Sequence, residues 1–369
     1  MDCCDVLIVG GGPAGSACAW KLRHSGLEVV ILDREVFPRN KVCGGWITPA
    51  VMTELEIDAA EYARGRMFQP ITGFRTGCIG GRSVETAYGV PISYGILRRE
   101  FDNYLLRRCG ARLLQGVNLT SLERSGDGWL ANGEIRTRLV VGAGGHFCPV
   151  ARLTGAKGGA ERVVVAQEAE FEMNAAEIEG CRVHGDVPEL YFCSDMKGYG
   201  WCFRKGNYLN VGLGRMDTHR LSEHVSEFLE FLRLAGRISY APFRSRLGHA
   251  YLLYGASKRD IAGDGFLLIG DAAGLAYSQS GEGIRPAIES GLLAGEVIHA
   301  GDLGRYRTLI ARRFGEPRKD WAVSIGRHLP PQLIEALGRR LLSVRWFVRD
   351  VVINRWFLHA NEPLIPKPA

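Results

Sequence analysis

The stretch Asp5-Val-Leu-Ile-Val-Gly-Gly-Gly-Pro-Ala-Gly15 decides the fold of this chain. Its apolar run, Val6 to Val9, predicts a buried strand that leads into a Gly10-x-Gly12-x-x-Gly15 turn and then into a helix. A second apolar run follows and ends on Asp33. This order predicts a dinucleotide-binding unit, in preference to a glycine turn in an unrelated α/β domain.

Each residue type in this stretch has a physical reason to be there. Gly10 allows the tight turn, Gly12 lets the backbone approach a pyrophosphate, and Gly15 lets the helix pack closely on the strand. The start of the helix offers free N–H groups and a partial positive charge to phosphates, and Pro13 suits it because a first-turn N–H has no partner. Asp33 is predicted to accept a hydrogen bond from a ribose hydroxyl.

Length and composition indicate a globular α/β protein of more than one domain. The 369 residues are many for one core, and contents of 46% hydrophobic and 23% charged residues are ordinary. A net charge of +6 without a basic tail makes nucleic acid a poor candidate partner. No run of 18 apolar residues occurs, and the first strand starts too early for a signal peptide, so we expect a cytoplasmic protein without a membrane span.

The 10 cysteines are scattered along the chain. They show neither a paired C-x-x-C spacing nor a compact disulfide framework, so we predict no metal site. Reduced thiols in a cytoplasm are the simplest interpretation.

The order of the sequence patterns predicts a dinucleotide-binding domain that is interrupted by a sheet-rich domain. Residues 50–64 and 97–108 have helical patterns, and residues 67–95 are predicted to form short strands. Residues 160–255 alternate between apolar and polar side chains, as in an antiparallel sheet that is covered on one face. The predicted domains are 1–155 with 256–330 for the dinucleotide, 156–255 for the substrate, and C-terminal helices over 331–369.

The segment from Pro331 to His359 is helical, basic and aromatic in pattern. A basic amphipathic helix can lie on an anionic membrane surface. However, apolar residues on more than one face also fit a helix that packs on the body of the protein and extends its arginines to water. The sequence favours the packed helix and leaves peripheral membrane contact open.

Three stretches in combination resemble one superfamily of flavoproteins. They are Gly10–Gly15 with Asp33, Arg138–Gly145, and Gly265–Gly283 around Gly270-Asp271. The superfamily includes p-hydroxybenzoate-hydroxylase-type monooxygenases, flavin-dependent halogenases and geranylgeranyl reductases, and the resemblance covers most of residues 4–300. It implies an α/β fold, with a Rossmann-type FAD-binding domain, an inserted antiparallel-sheet substrate domain and a C-terminal helical segment.

The same resemblance implies FAD as the cofactor and a set of residues that bind it. Asp271 would contact the ribityl chain, and the helix after Gly283 would point its N-terminus at the isoalloxazine, where its dipole favours an anionic reduced flavin. Taken alone, Arg98 would be a solvated helix arginine, but the resemblance places it near the phosphates and ribityl. The implied cofactor-binding residues are Gly10, Gly12, Pro13, Ala14, Gly15, Asp33, Arg34, Lys41, Cys43, Gly44, Arg98, Val117, Gly270, Asp271, Gly281, Gly283 and Ile284.

Two features resemble the geranylgeranyl reductases most. Pro38-Arg39-x-Lys41-x-Cys43-Gly44-Gly45 is similar to a loop that lies beside the isoalloxazine with its cysteine facing the pocket. Gly198-Tyr-Gly-Trp-Cys-Phe203 is similar to the Tyr-x-Trp-x-Phe-Pro signature that lines the prenyl cavity. The resemblance therefore implies catalytic roles for Cys43, Tyr199 and Trp201, and substrate contacts from Gly45, Tyr199, Trp201 and Phe203.

Both features also have an ordinary structural interpretation. Tyr199, Trp201 and Phe203 share one face of a strand, which is either an aromatic wall for an apolar chain or ordinary sheet core. A free cysteine such as Cys43 is most often a buried small hydrophobe. The glycines on both features favour the pocket interpretation.

The chain departs from the superfamily pattern at three places. Ala143-Gly144-Gly145 replaces Ala-Asp-Gly, which puts direct reduction by NAD(P)H in doubt and leaves another donor, such as a donor protein, open. Arg204 replaces the proline of the reductase signature. The segment Tyr277–Ser280 lacks the proline that is common before the last flavin glycines.

We predict an FAD-dependent reductase that saturates carbon–carbon double bonds of a geranylgeranyl-type prenyl substrate. Reduced flavin would deliver hydride, and Cys43, Tyr199 or a water would deliver the proton. One alternative is a flavin-dependent monooxygenase of an apolar or aromatic substrate, because the fold is shared. A second is a non-catalytic protein that binds flavin and a lipid. The isoprenoid, the electron donor and the oligomeric state do not follow from the sequence.

Overall fold

The fold is built from β-sheets that are joined and covered by helices. The computed structural model describes residues 2–157, 161, 163–217, 220–239, 247–315 and 330–365. The strands, in chain order, are β1 (Asp2–Val9), β2 (Val29–Asp33), β3 (Trp46–Ile47), β4 (Phe68–Ile71), β5 (Gly73–Cys78), β6 (Ser83–Ala87), β7 (Ser93–Ile96), β8 (Arg112–Gln115), β9 (Leu122–Ser125), β10 (Gly128–Ala131), β11 (Ile135–Gly142), β12 (Val163–Glu172), β13 (Glu189–Phe192), β14 (Gly198–Lys205), β15 (Tyr208–Arg215), β16 (Leu247–Leu252), β17 (Ala262–Gly263) and β18 (Phe266–Leu268).

The helices alternate with these strands in the first part of the chain and follow them at its end. They are α1 (Pro13–Leu22), α2 (Pro49–Glu54), α3 (Ala59–Tyr62), α4 (Arg98–Arg108), α5 (Pro149–Leu153), α6 (Ala175–Gly180), α7 (Leu221–Leu234), α8 (Ile284–His299), α9 (Arg305–Phe314) and α10 (Pro331–Leu341). A short 3-10 turn covers Gly270–Ala272, and a π-helix covers Phe347–Phe357.

The first sheet carries the glycine turn. Its strand order is β17-β18-β11-β1-β2-β8, and the strands from β18 to β8 run parallel. Every residue of β2 is buried, which explains why its sequence is almost wholly apolar. Parallel strands present their carboxyl ends at one edge of the sheet, so Val9, Asp33 and Ala143 meet there.

The second sheet has the order β16-β12-β15-β14-β13-β5-β6. All its neighbours are antiparallel except β13 and β5, which are parallel. One face packs on α7, where Val225, Phe228 and Leu232 join buried side chains of β14 and β15. A small third sheet has the order β3-β7-β4.

The predicted fold class is confirmed, and two details differ from prediction. Residues 50–64 form two short helices instead of one, because Glu56 takes a left-handed φ of 52° and Asp58 begins α3 by accepting from the Glu61 N–H. The second sheet is mixed because β5 and β6, from the predicted strands of 67–95, join it. The domain bounds stay a prediction.

The C-terminal segment has two parts that pack differently. The π-helix buries Val348, Val352, Ile353 and Phe357 in an apolar cluster with the second sheet. In contrast, α10 has no buried residue and exposes Leu333 and Leu337. Among the residues described, no helix combines the length and apolarity that crossing a membrane requires. Contact with a membrane surface stays a prediction.

Candidate active site

A cavity of about 770 Å³ lies between the first two sheets. It begins at the carboxyl ends of β1 and β2 and extends to side chains of β12 and β14. Its volume falls within the usual range for ligand sites, about 300–1000 Å³. The cavity therefore has one end at the glycine turn and another against the second sheet.

The glycine turn is tightly packed on its inner side. Gly10 has a φ of +116°, and a Cβ there would lie 2.4 Å from the carbonyl oxygen of Ala143. A Cβ on Gly15 would lie 1.9 Å from the carbonyl oxygen of Gly10. In contrast, the nearest atom to a Cβ on Gly12 is the flexible end of Arg39, at 3.4 Å. The turn thus excludes side chains behind it and leaves room in front of it.

Asp33 fixes the geometry of this turn. One carboxylate oxygen accepts the Gly11 N–H at 2.6 Å, and the other accepts the Glu35 N–H at 2.8 Å. The side chain also lines the cavity. Each carboxylate oxygen has a second lone pair, so Asp33 can still accept from a ribose hydroxyl.

Arg98 is buried and not solvated, with 6% of its surface exposed. It forms two hydrogen bonds of 2.8 Å with the carboxylate of Asp102, which also lies 3.1 Å from Arg39. Burial alone would lower the pKa of Arg98, but the Asp102 carboxylate raises it above its usual range. Arg98 is therefore permanently charged, and the carboxylate of Asp102 balances that charge.

Lys41, His249 and Asp271 form a polar cluster in the cavity. Lys41 Nζ lies 3.0 Å from His249 Nδ1, and His249 Nε2 lies 3.6 Å from an oxygen of Asp271. Burial lowers the pKa of Lys41 to about 8, and it also lowers the pKa of His249. Burial alone would raise the pKa of Asp271, but His249, Lys41 and Arg98 lower it. Asp271 is therefore a carboxylate that can accept from a ligand hydroxyl.

The start of α8 faces the same cavity. Gly281, Gly283 and Ile284 line it, and Gly283 is the residue before the first turn of this helix of 16 residues. A Cβ on Gly283 would lie 3.2 Å from the Asp271 carboxylate. The Arg285 N–H already donates to Glu282 at 2.9 Å, and Pro286 has no N–H. The N–H groups of Gly283 and Ile284 and the positive end of the helix dipole are thus the ones available to an anionic ligand.

The Cys43 loop is held by side chains of the second sheet. The Cys43 N–H donates to Glu168 Oε1 at 2.6 Å, and its carbonyl accepts from Asn210 Nδ2 at 3.0 Å. Asn210 also accepts from the Trp201 indole N–H at 2.6 Å. Both polar groups of the Cys43 backbone are therefore paired with β12 and β15, which fixes the loop against the cavity.

Tyr199, Trp201 and Phe203 lie on one face of β14 and line the cavity. Phe357 of the π-helix joins them, with its ring centroid 5.3 Å from that of Tyr199. The Tyr199 hydroxyl donates to the Ser280 carbonyl at 2.5 Å. These rings make one end of the cavity aromatic, which suits an apolar ligand.

The residues present fit FAD. The inner side of the glycine turn has no room for side chains, its outer side is open, and two helix starts offer N–H groups to the cavity. Asp33 and Asp271 supply acceptors at separate positions along it. This is the donor and acceptor set that a dinucleotide with an extended polyol chain requires.

Nearly all the predicted site residues are brought together on this cavity wall. The two exceptions are Gly15, which packs behind Gly10, and Gly270, where a Cβ would lie 3.0 Å from the Cβ of Ala14. Both lie behind the wall, where the absence of a side chain lets neighbouring segments pack closely. The roles assigned to the lining residues stay predictions.

The site also contains residues that the sequence did not predict, among them Glu168, Asn210, His249 and Phe357. A signal was available for Glu168, because a strand of apolar alternation carries three carboxylates, Glu168, Glu170 and Glu172, on one face. No comparable signal marks Asn210, His249 or Phe357, which are brought to the site by strand pairing and by the C-terminal segment.

Comparison with known proteins identifies the family. A model described as FAD dependent oxidoreductase matches residues 5–77. Digeranylgeranylglycerophospholipid reductase from Methanocaldococcus jannaschii is 29% identical over 315 residues, which cover 80% of this chain and 77% of that protein. Menaquinone reductase from Mycobacterium tuberculosis is 30% identical over 348 residues, which cover 85% of this chain and 81% of that protein. The chain belongs to the geranylgeranyl reductase family of FAD-dependent oxidoreductases.

Membership of this family confirms the predicted enzyme class, an FAD-dependent oxidoreductase. A solved structure supports the fold independently: a geranylgeranyl bacteriochlorophyll reductase-like protein from Thermoplasma acidophilum has a TM-score of 0.78 with this chain. The two are 22% identical, and the match covers 99% of this chain and 100% of that one. This likeness shows a shared fold over the whole length.

Proposed function

We propose that this protein is a reductase that saturates carbon–carbon double bonds in the prenyl chain of a geranylgeranyl-type substrate. The observation that carries the proposal is the aromatic end of the cavity, where Tyr199, Trp201 and Phe203 lie beside the Cys43 loop. The names of two relatives support it, because menaquinone and digeranylgeranyl lipids both contain an isoprenoid chain.

The residues of the chain would bind the cofactor, orient the substrate and exclude water. The glycine turn and the start of α1 would hold the phosphates of FAD, and Asp271 would accept from its polyol. When bound and reduced, FAD supplies two electrons as hydride. The rings of Tyr199, Trp201 and Phe357 would hold an alkene in one orientation and keep water from it, which matters because an isolated alkene is a poor hydride acceptor.

The donor that reduces the cofactor is a separate part of the proposal. At Gly144, where the superfamily has an acid, a Cβ would lie 3.1 Å from Pro149 Cδ and 3.2 Å from Cys148 Cα. These contacts are tight, so the local backbone does not favour an aspartate at this position. The absence of this acid from the sequence supports a donor other than directly bound NAD(P)H, such as a protein.

The test uses the FAD-loaded, chemically reduced protein and a geranylgeranyl-bearing lipid, and it measures the mass of the lipid. The proposal predicts a gain of two hydrogen atoms per reduced double bond in the absence of oxygen. A gain of one oxygen atom, seen only in air, would replace the reductase with a monooxygenase. An unchanged lipid in both conditions would favour a protein that binds flavin and lipid without turnover.

Two cysteine variants provide a matched control for this experiment. Cys43 lies on the cavity wall, whereas Cys3 is exposed at the start of β1. We expect Cys43→Ala to slow lipid reduction with FAD retained, and Cys3→Ala to leave it unchanged. Equal rates for both variants would show that Cys43 has no role in lipid reduction, and they would not affect the reductase proposal.

A further inference from the structure

Glu168 is a carboxyl group on the wall of the cavity that the proposed function does not yet use. It lies on β12 with 3% of its surface exposed, and it lines the cavity together with Cys43 and Trp201. Gly212 makes room for this arrangement, because a Cβ there would lie 2.3 Å from the Trp201 ring and 2.7 Å from Glu168 Cβ. The carboxyl therefore sits at the junction of the aromatic wall and the Cys43 loop.

The two oxygens of this carboxyl have different surroundings. Oε1 accepts the Cys43 N–H at 2.6 Å. Oε2 is buried and has no hydrogen-bond partner among the described residues. A buried oxygen without a donor is costly as part of a carboxylate but much less so as the hydroxyl of a neutral acid.

The charged groups around Glu168 do not neutralise it. Lys205 lies near but pairs with Glu170 at 2.7 Å and with the Ile96 carbonyl at 2.9 Å. Arg98 is paired with Asp102. Burial raises the pKa of Glu168 to about 7; Glu170 adds to this, and the Cys43 N–H, Lys205 and Arg98 oppose it. At neutral pH a large fraction of Glu168 is thus an uncharged acid.

We propose that Glu168 is the general acid of this site, which supplies the proton that completes reduction of the alkene. The inference rests on the proposed function and names the proton source for it. In the balanced step, the O–H bond of Glu168 breaks and its proton forms a C–H bond with the electron pair of the alkene π bond. The other alkene carbon takes hydride from the reduced cofactor, and the carboxylate then recovers a proton from water.

The hydroxyl and indole donors of the aromatic wall are less suited to this role. The Tyr199 hydroxyl already donates to the Ser280 carbonyl at 2.5 Å, and burial raises the pKa of Tyr199 well above its usual value. The indole N–H of Trp201 is committed to Asn210. An acid that titrates near neutral pH is the most effective proton donor at neutral pH.

The first test detects the proton itself and does not depend on turnover. Infrared spectra of the FAD-loaded protein should show a carboxylic-acid C=O band that disappears with a midpoint near pH 7 and is absent in Glu168→Gln. Glu54→Gln is the matched control, because burial raises the pKa of Glu54 to about 8 and it lies outside the cavity. The spectrum of Glu54→Gln should lack any band of Glu54 and should keep the Glu168 band unchanged. Spectra without a band assignable to Glu168 at pH 6 would overturn the proposal.

The second test measures oxidation of the reduced cofactor by the prenyl substrate. Glutamine keeps an oxygen that can accept the Cys43 N–H but has no acidic proton, so it separates proton supply from loop positioning. Glu168→Gln should lower the rate about 100-fold or more and abolish the fall in rate that we expect of the wild type above pH 7, while Glu54→Gln should do neither. Glu168→Asp should retain the pH dependence at a reduced rate, which covers the case in which the glutamine variant folds poorly.

The two tests also distinguish failure of this inference from failure of the proposed function. If the wild type reduces the substrate and Glu168→Gln is equally fast, the general-acid role of Glu168 is wrong and the proposed reductase function is unaffected. A wild type that reduces no prenyl substrate would remove the proposed function, and with it the general-acid role. The infrared band would then still report whether Glu168 holds a proton.

Discussion

The two ends of the cavity are built by different means. At the nucleotide end, defined by Gly10, Gly12, Gly15 and Asp33, a single stretch of backbone shapes the wall, and its packing leaves no room for side chains behind it. At the aromatic end, defined by Cys43, Glu168, Tyr199, Trp201 and Phe357, side chains from four separate segments meet. One end therefore depends on backbone geometry and the other on individual side-chain contacts, so the two should respond differently to substitution.

The largest effect is expected from Gly15→Ala. Its Cβ would lie 1.9 Å from a backbone oxygen, so α1 must move away from the turn, at a cost of about 3 kcal/mol or more in the free energy of unfolding. FAD should be lost with it. The control is Gly12→Ala, whose Cβ meets only the movable end of Arg39; it should weaken FAD binding with little change in the stability of the apoprotein. Urea unfolding and FAD titration of both variants check this, and equal stability of the two would show that the nucleotide end does not depend on close backbone packing at Gly15.

At the aromatic end, we expect the next largest effect from Glu168→Gln, as a change in the pH dependence of stability. The folded pKa of Glu168, about 7, is above the ordinary value of 4.5. The folded state therefore holds this proton more tightly than the unfolded state, and the stability it contributes is lost as the pH rises from about 4.5 to about 7. Glutamine does not titrate, so Glu168→Gln should gain up to about 3 kcal/mol relative to the wild type between pH 5 and pH 8.

Urea unfolding of the two proteins at both pH values, at one FAD concentration, measures this gain. Glu54 and Glu282 also have raised pKa values, about 8 and about 7, but they are present in both proteins and so cancel in the difference. A difference in stability that does not change with pH would show that Glu168 does not titrate on unfolding.

The smallest effect is expected from Tyr199→Phe. The change removes one hydrogen bond to the Ser280 carbonyl and keeps the ring that packs on Phe357. We expect a loss of about 1 kcal/mol in unfolding free energy and unchanged FAD content. Thermal unfolding and the absorbance of bound flavin test this, and a loss as large as that of Gly15→Ala would mean that the aromatic end is as rigidly specified as the nucleotide end.

The same contrast explains what could be predicted from the sequence. The nucleotide end is contiguous, so the spacing of Gly10 to Gly15, followed by Asp33, is enough to identify it from the amino-acid sequence. The Cys43 loop and the face of β14 were also found, but through resemblance to a family and not through their own pattern. Arg98 shows the limit of local reasoning: on a helix it resembles a solvated arginine, and only burial beside Asp102 places it on the cavity wall.

The residues that were missed owe their position to long-range pairing. Glu168 contacts Cys43, which is 125 positions away along the chain, and Asn210 contacts it from 167 positions away. No local pattern specifies such a pairing, because strand register is fixed by the whole sheet. The addition of β5 and β6 to the second sheet was missed for the same reason.

The position of Phe357 in the chain sets the order in which the two ends of the cavity are completed during synthesis. It is synthesised after every other residue of the cavity wall, and it reaches Tyr199 from the π-helix. While the chain is being made, all the glycines and carboxylates of the wall therefore precede the ring that finishes its aromatic end. The nascent chain thus holds every group of the nucleotide end before the aromatic end of the cavity can close.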